Sequence, residues 1–499
     1  MSLARTNCIA LTGLAGELIT VEVDIGDGLP TFSLLGLPDA ALLESRDRVR
    51  SALINSGQLW PNRKVIVSLT PAWLPKSGSA FDLPIAIALL VANGLDFKIE
   101  ESVFIGELSL DGTLRETRGV LPALICAHKN GIKRAIIPRA NAAEAQLIPE
   151  IETICFETLL ELLHWIETGE RIESPSLDLK IENEIPDDFS DIAGQRRARR
   201  AAEIAAAGGH NLLMIGPPGV GKTMIAKRFP TILPFLTNEE ALEVTALHSI
   251  TNSDRAPLSR IAPFVAPHHT TTRVAMVGGG GHAIKPGAIS LAHHGVLFID
   301  EAPECSTGIL DSLRQPLESG SITIARATGN LTFPAKFILI IAANPCPCGK
   351  FVGKGRGCTC TPLQVRRYLA KLSGPLLDRI DLRVQVDPVS RVELAEGGES
   401  SFAIRERVIA ARKAASMRFK NESWKINSQI PARALANKYH GTKSAMRFLH
   451  DELDRERITA RGLHKILRTS WTIADLAGKE QPDITEVESA YLLREGNDY

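Results

Sequence analysis

The stretch Gly216-Pro217-Pro218-Gly219-Val220-Gly221-Lys222-Thr223 has the composition and spacing of a loop that holds phosphate. Its glycines let successive backbone N–H groups turn toward phosphate oxygens, and a helix beginning at its end adds partial positive charge. Lys222 would neutralise the β and γ phosphates, and the Thr223 hydroxyl would reach Mg²⁺. Further on, the apolar run that starts at Gly295 ends in two carboxylates, Asp300 and Glu301. Asp300 suits the Mg²⁺ water shell, and Glu301 suits orienting and polarising the water that attacks the γ-phosphate. Another apolar run, 337–343, stops at Asn344, whose amide could meet the γ-phosphate or that water. Together these residues read as a site that binds ATP with Mg²⁺ and hydrolyses it. Two later arginines, Arg379 on the turn 374–381 and Arg461 within 458–463, gain meaning from following in this order.

A second kind of chemistry is concentrated at Cys346, Cys348, Cys358 and Cys360, two Cys-x-Cys pairs nine residues apart in a glycine-rich, basic loop. Four thiolates at short spacing in a reducing compartment suit tetrahedral Zn²⁺, and a metal would give such a loop order. The spacing departs from the commoner Cys-x₂-Cys knuckle, and free or redox-active thiols are the alternative. The pairs His268-His269 and His293-His294 have no acidic or thiol partner at ligand spacing, so they are read as packing or hydrogen-bonding residues.

These groups need elements to position them. The run 211–215 before the glycine loop reads as a buried parallel strand, and 224–229 after it as a helix that stops before Pro230. A basic helix over 196–207 ends at Gly208-Gly209. Its Arg196, Arg197, Arg199 and Arg200 spread around the helix, which favours a solvated or subunit-facing role over a nucleic-acid patch. Residues 1–173 alternate β-type runs (19–25, 65–69, 135–137) with helical ones (40–56, 83–91, 121–129), giving a separate α+β or α/β domain. A polar, charged linker spans 174–189. The nucleotide core then occupies 190–390, and 391–499 forms a helical bundle over the nucleotide, joined through a flexible segment at 393–400.

With 499 residues, 44% of them hydrophobic, the chain has length and apolar content for about three domains. The 57 basic and 57 acidic side chains cancel, so contact with nucleic acid would need a local patch. Residues 1–16 carry one basic residue and no long apolar core, unlike a secretory leader. The most apolar stretch, 83–95, contains Pro84 and Asn93 and is too short to span a bilayer. A soluble, cytoplasmic protein without membrane contact is expected.

A phosphate loop, a strand ending in Asp-Glu, a strand ending in Asn and a later Asp-Arg turn resemble the AAA+ ATPases. The runs 266–270 (Ala-Pro-His-His-Thr), 278–289, 291–301 and 376–381 are similar to the magnesium-chelatase-like branch. Nearly the whole chain resembles the ComM/YifB proteins, bacterial hexameric ATPases implicated in DNA branch migration during natural transformation. The resemblance implies an α/β fold: an AAA+ P-loop core with a parallel sheet flanked by helices, a C-terminal helical lid and an N-terminal α+β Lon-protease-like domain. It implies a homo-hexamer acting on single-stranded and branched DNA, with recombination proteins as a partner class. In it Lys222, Thr223, Asp300 and Glu301 form the hydrolytic site, and Asn344 is the sensor. Arg379 is the finger given to the neighbouring subunit, and Arg461 is the second sensor on the lid. The inserts expected to face the ring's centre fall at 273–289 and at a hairpin over 320–334. They offer Arg273, Lys285 and Arg326 as phosphate contacts to DNA, with pairing of Arg326 to a carboxylate at a subunit interface equally open.

In the first domain, 75–84, 104–108 and 127–138 resemble the proteolytic domain of Lon. The nucleophile position falls at Ala80 and the base position near Leu121, and Ser79 has no matched lysine, so peptidase activity is not expected. Other readings are a chelatase-type ATPase working through a partner, an ATP-driven peptidase, and a nucleotide-gated scaffold without translocation.

Overall fold

The computed structural model describes residues 2–74, 76, 78–97, 101–170, 187–251, 259–280, 284–326, 329–351, 357–395 and 397–495. Most of the expected linker, the centre of the cysteine loop, and Gly281 of the first insert lie outside these.

The nucleotide core is built on five parallel strands in the order Phe264–Val265, Val296–Ile299, Ile338–Ala343, Leu212–Ile215 and Leu382–Gln385. The central runs are apolar at every position because both faces are covered, as parallel sheets require. Alternate side chains feed two cores. Leu212, Met214, Phe298, Ile340 and Ala342 pack with the helix Arg196–Gly208, whereas Leu213, Ile215, Leu297, Ile299 and Ile341 pack with Ile289, Ile309 and Leu313 on the other face. Register pairs Ile215 with Ala343 and Ile299 with Ile341, so the three strands end together. Gly216, Asp300 and Asn344 therefore emerge along one edge, the carboxyl edge where α/β sheets bind ligands.

The C-terminal helices Ser401–Arg418, Ala432–Asn437, Lys443–Asp454, Ala460–Leu476 and Ile484–Arg494 form the expected bundle. It is not loosely hinged. Ile404, Val408, Leu463, Ile466 and Leu467 belong to the same apolar cluster as the sheet. The segment read as flexible contains a helical turn, Arg391–Ala395, and Gly398 donates its N–H to Ser190 O at 3.0 Å. Ser401 Oγ accepts the Phe189 N–H at 2.7 Å, and Phe189, the last residue of the expected linker, is fully buried in the core.

The N-terminal domain has a mixed sheet in the order Ser2–Thr12, Ala15–Gly26, Lys64–Thr70, Thr31–Leu35 and a parallel sheet of Ser102–Phe104, Arg134–Pro138 and Glu152–Phe156. Between and around them lie the helices Ser45–Asn55, Asp82–Ala92 and Val120–Lys129. The α+β alternation read from the sequence is present. Contact with the core comes from the first hairpin's tip, where Gly13 has φ +68° and a Cβ on it would lie 3.2 Å from the Phe333 ring. The Gly119 N–H also donates to Ser249 O at 3.3 Å. Phe333 belongs to the expected hairpin, Ser321–Arg326 paired with Gly329–Pro334. Among the described residues no helix is long and apolar enough to cross a membrane.

Candidate nucleotide site and cysteine centre

The shared strand edge brings Lys222, Thr223, Asp300, Glu301 and Asn344 together. Gly219 (φ +79°) and Gly221 (φ +94°) take the left-handed turns that only glycine adopts without strain, and the helix Lys222–Arg228 begins at once. The Lys222 ammonium is buried and donates to Gly216 O at 2.6 Å, to Pro217 O at 2.8 Å and to Asn344 Oδ1 at 3.2 Å. Burial lowers its pKa, while the charges of Asp300 and Glu301 work in the opposite direction. Thr223 Oγ1 donates to Asp300 Oδ2 at 2.8 Å, and Asp300 Oδ1 accepts the Glu301 N–H at 2.9 Å. A hydroxyl and a carboxylate side by side are the hard oxygen donors that Mg²⁺ takes together with phosphate.

Glu301 is half-exposed, and its backbone is left-handed (φ +47°), which is uncommon outside glycine. Its carboxylate lies 3.7 Å from His269 Nδ1. His269 packs against His268, with ring centroids 4.1 Å apart and the planes tilted by 34°. A packing role for His269 thus overlooks its acidic neighbour; the only sequence signal was its place in the 266–270 run.

Arg379 and Arg461 are elsewhere. Arg379 donates to Arg314 O at 3.1 Å and Pro375 O at 2.6 Å and pairs with Glu318. Arg461 donates to Asp378 Oδ2 at 2.9 Å. Arg379 precedes the strand Leu382–Gln385, which runs parallel to Leu212–Ile215, and Arg461 is brought to the same end by its bond to Asp378. They therefore occupy the amino edge of the sheet, on the order of 16 Å from the phosphate-loop edge at about 3.3 Å per residue. The lid does not cover this chain's own phosphate loop as expected, because its helices are fixed to the amino edge. Lys465 donates to Asp381 Oδ1 at 2.7 Å, and His210 Nε2 lies 2.7 Å from Thr472 Oγ1. A cavity of about 1440 Å³ opens here, lined by Glu318, Asp378, Arg379, Arg461, Lys465 and Arg468 among others.

The four cysteines converge. Cys346 Sγ lies 3.4 Å from Cys348 Sγ and 3.6 Å from Cys358 Sγ, the latter two are 3.6 Å apart, and all four sulfurs lie within 4.8 Å of one another. A tetrahedral zinc with bonds of about 2.3 Å sets its sulfurs roughly 3.8 Å apart, so the donor set and its spread fit. The N–H groups of Lys350 and Thr359 hold the Cys348 thiol well below its ordinary pKa.

His293 and His294 do acquire an acidic partner that sequence spacing concealed: both Nε2 atoms lie 3.0 Å from Glu243 Oε2, fifty residues away in the chain. His293 Nδ1 accepts the Lys336 N–H at 3.0 Å, so the proton of the neutral ring resides on Nε2 and points at Glu243. That leaves no lone pair for a metal on His293, and the hydrogen-bonding role stands. Arg273 and Lys285 are exposed on the first insert. Arg326 ends the first strand of the 321–334 hairpin, and its side chain lies outside the described residues.

Among the described residues of the first domain, Ser79 has no lysine partner. The Ser79 hydroxyl is bonded to Glu107, and the buried Lys76 ammonium donates to Leu69 O at 3.0 Å and to Pro71 O.

Comparison with known proteins agrees with this geometry. Residues 188–394 match the family described as "Magnesium chelatase, subunit ChlI", 21–141 match "Subunit ChlI of Mg-chelatase", and 398–494 match "Magnesium chelatase, subunit ChlI C-terminal". Core, site and lid define a magnesium-chelatase-type AAA+ ATPase, a class that implies ATP and Mg²⁺. Across its length the chain is 40% identical to competence protein ComM of Haemophilus influenzae (96% of this chain, 95% of that protein) and 41% identical to YifB of Escherichia coli (97% and 95%). An uncharacterized protein of Mycobacterium tuberculosis is 44% identical over 99% of both chains. The chain belongs to the ComM/YifB family. A distant partial similarity, 28% identity over 148 residues, links it to Lon protease 1 of Myxococcus xanthus, covering 28% of this chain and 18% of that protein.

Proposed function

We propose that this chain is the subunit of a homo-hexameric, ATP-driven DNA motor that promotes branch migration during homologous recombination in natural transformation. The observation that carries the reading is the division of the site between two sheet edges. Lys222, Thr223, Asp300, Glu301 and Asn344 lie on one edge and Arg379 and Arg461 on the other, so one chain holds both halves but cannot join them. Apposing the amino edge of one copy to the carboxyl edge of the next completes the site and propagates into a ring. The relative named a competence protein points the ring toward transforming DNA.

On phosphate binding, Lys222 exchanges the carbonyls of Gly216 and Pro217 for phosphate oxygens and releases the Asn344 amide toward the γ-phosphate. Mg²⁺ at Thr223 and Asp300 would screen the phosphate charge. Glu301 orients the attacking water, and Arg379 and Arg461 of the neighbouring copy neutralise charge that builds up during transfer. Arg273, Lys285 and Arg326 reach DNA phosphates without reading sequence. The cysteine centre holds structural Zn²⁺, as a reducing cytoplasm permits. The bonds that occupy Ser79 and Lys76 support the absence of peptidase chemistry in the first domain.

Three-strand and four-way junction processing by purified protein, with Lys222→Ala as control, tests the reading. ATP-dependent junction movement lost in the control is expected. Vigorous ATP hydrolysis with static junctions would favour the chelatase-type reading, which the family descriptions keep in view. Metal analysis of protein purified without chelator should give about one zinc per chain, and less than about half would argue against that centre.

A further inference from the structure

The cysteine centre touches the nucleotide site at three points. Gly349, the residue after Cys348, has φ +73°, and a Cβ on it would lie 2.6 Å from Pro218 Cδ and 2.8 Å from Pro218 Cγ. Pro218 is in the middle of the phosphate loop, so knuckle and loop meet at a distance only glycine allows. Cys346 is buried and follows Asn344 by two residues, and it is tied to the same turn by the Gly349 N–H, which donates to its carbonyl at 2.9 Å. Asn344 is in turn the partner of Lys222. On the far side, the helix Pro362–Leu369 follows Cys360 after its cap Thr361, and its buried Tyr368 faces Glu304, three residues beyond Glu301; burial and then the Glu304 charge raise the Tyr368 pKa. Phosphate loop, sensor amide and the segment after the hydrolytic carboxylate thus all rest on residues bracketing the four thiols.

We propose that the metallated cysteine centre is the strut that sets the phosphate loop, with Gly349 as the positioning residue that transmits it through Pro218. The inference rests on reading the cysteines as a metal centre, and adds to it that nucleotide affinity depends on the metal. With zinc shared among the four sulfurs, the turn 346–349 keeps Gly349 against Pro218 and Asn344 beside Lys222. Without it, the sulfurs 3.4–3.6 Å apart share no common partner, and only the Gly349–Cys346 backbone bond is left to hold the turn.

The test uses the full chain and reads binding of a fluorescent ATP analogue, with metal content measured on the same samples. Stripping zinc with a chromogenic chelator should raise the nucleotide Kd about tenfold or more in step with metal release, and added Zn²⁺ should restore it. Gly349→Ala should keep its zinc and native circular dichroism while weakening nucleotide binding by about tenfold. Putting Pro218→Ala into that background removes the ring atoms facing position 349, so the double variant should bind no worse than Pro218→Ala alone. A general loss of structure would not produce that recovery. A chain that carries no zinc when purified without chelator, yet binds nucleotide normally, would overturn the metal reading and the strut together. A zinc-loaded chain whose Kd stays within about twofold when stripped would overturn the strut and leave the zinc assignment standing. Should Gly349→Ala fail to fold, the stripping experiment decides alone.

Discussion

In a head-to-tail ring each ATP site takes its phosphate loop from one copy and its arginine from the next. Arg379→Ala should therefore keep nucleotide binding and lose turnover by roughly a thousandfold or more, while Lys222→Ala should lose binding. When the two variants are mixed equally and allowed to exchange, a site is whole wherever an Arg379→Ala copy supplies the phosphate loop and a Lys222→Ala copy supplies the arginine. Half of one kind meeting half of the other makes about one quarter of interfaces whole, so the mixture should recover roughly a quarter of wild-type ATPase. Arg461 extends the test, because its bond to Asp378 places it beside Arg379 and a strand's length from Lys222. Arg461→Ala mixed with Lys222→Ala should recover activity in the same way. If Arg461 served its own chain's nucleotide, no pairing of those two variants would be whole and the mixture would stay inactive. No recovery from Arg379→Ala with Lys222→Ala, with subunit exchange followed by fluorescence transfer, would refute completion across the interface. Recovery there but not with Arg461→Ala would refute it for Arg461 alone.

His269→Ala should lower kcat by about tenfold, the worth of one orienting polar contact on a charged group, with little change in KM. Asn, whose side-chain N–H takes the position of Nδ1, should retain more activity than Gln, and equal losses in both would count against orientation of Glu301. His293 is pushed down to about 4 by burial and by the neighbouring His294. Its unfolded value is about 6.5, so the unfolded chain binds the extra proton first. The stability it contributes, up to about 3 kcal/mol, is complete above pH ~6.5 and falls away toward pH ~4. Thermal unfolding across that range should lose part of its slope in His293→Gln, and an unchanged slope would assign the acid sensitivity elsewhere. Lys285→Ala should flatten the dependence of DNA affinity on salt by close to one released ion; an unaltered slope would remove Lys285 from the DNA path.

The three central parallel strands were legible because each is an uninterrupted apolar run that stops at a residue with work at the strand's end: Gly216, Asp300 and Asn344. The outer two were not, since Phe264–Val265 is too short to show a pattern and Leu382–Gln385 is interrupted by Arg383. The cysteine cluster was legible because its thiols are neighbours in sequence. What escaped depends on packing between distant segments. Nothing local in Glu243 announces His293 and His294, and nothing in Gly349 announces Pro218. Arg461 was recognisable as a residue but not as to address, since the edge its helix faces is decided by the apolar cluster that Ile404, Leu463 and Ile466 share with the sheet. The docking of the first domain was hidden for a similar reason: Gly13 reads as an ordinary hairpin turn until Phe333 is beneath it.

That shared cluster also determines where motion can arise in the proposed ring. A lid on a flexible joint would answer hydrolysis by swinging within its own subunit. Here the joint is tied by Gly398 to Ser190 and Ser401 to Phe189, and the lid is held to the amino edge by Lys465 on Asp381 and Thr472 beside His210. Asp381 is buried, and although burial alone would raise its pKa, the Lys465 charge and His210 hold it far below the ordinary carboxylate range, so the tie persists at neutral pH. Core and lid must then move as one body carrying Arg379 and Arg461 together. In that ring the free joint would be the interface itself, where those arginines would meet the neighbour's γ-phosphate and lose it on hydrolysis. Each turnover would loosen one subunit against the next. Because the first domain's hairpin tip rests on Phe333, the hairpin offered to DNA and the first domain would be carried along in the same displacement.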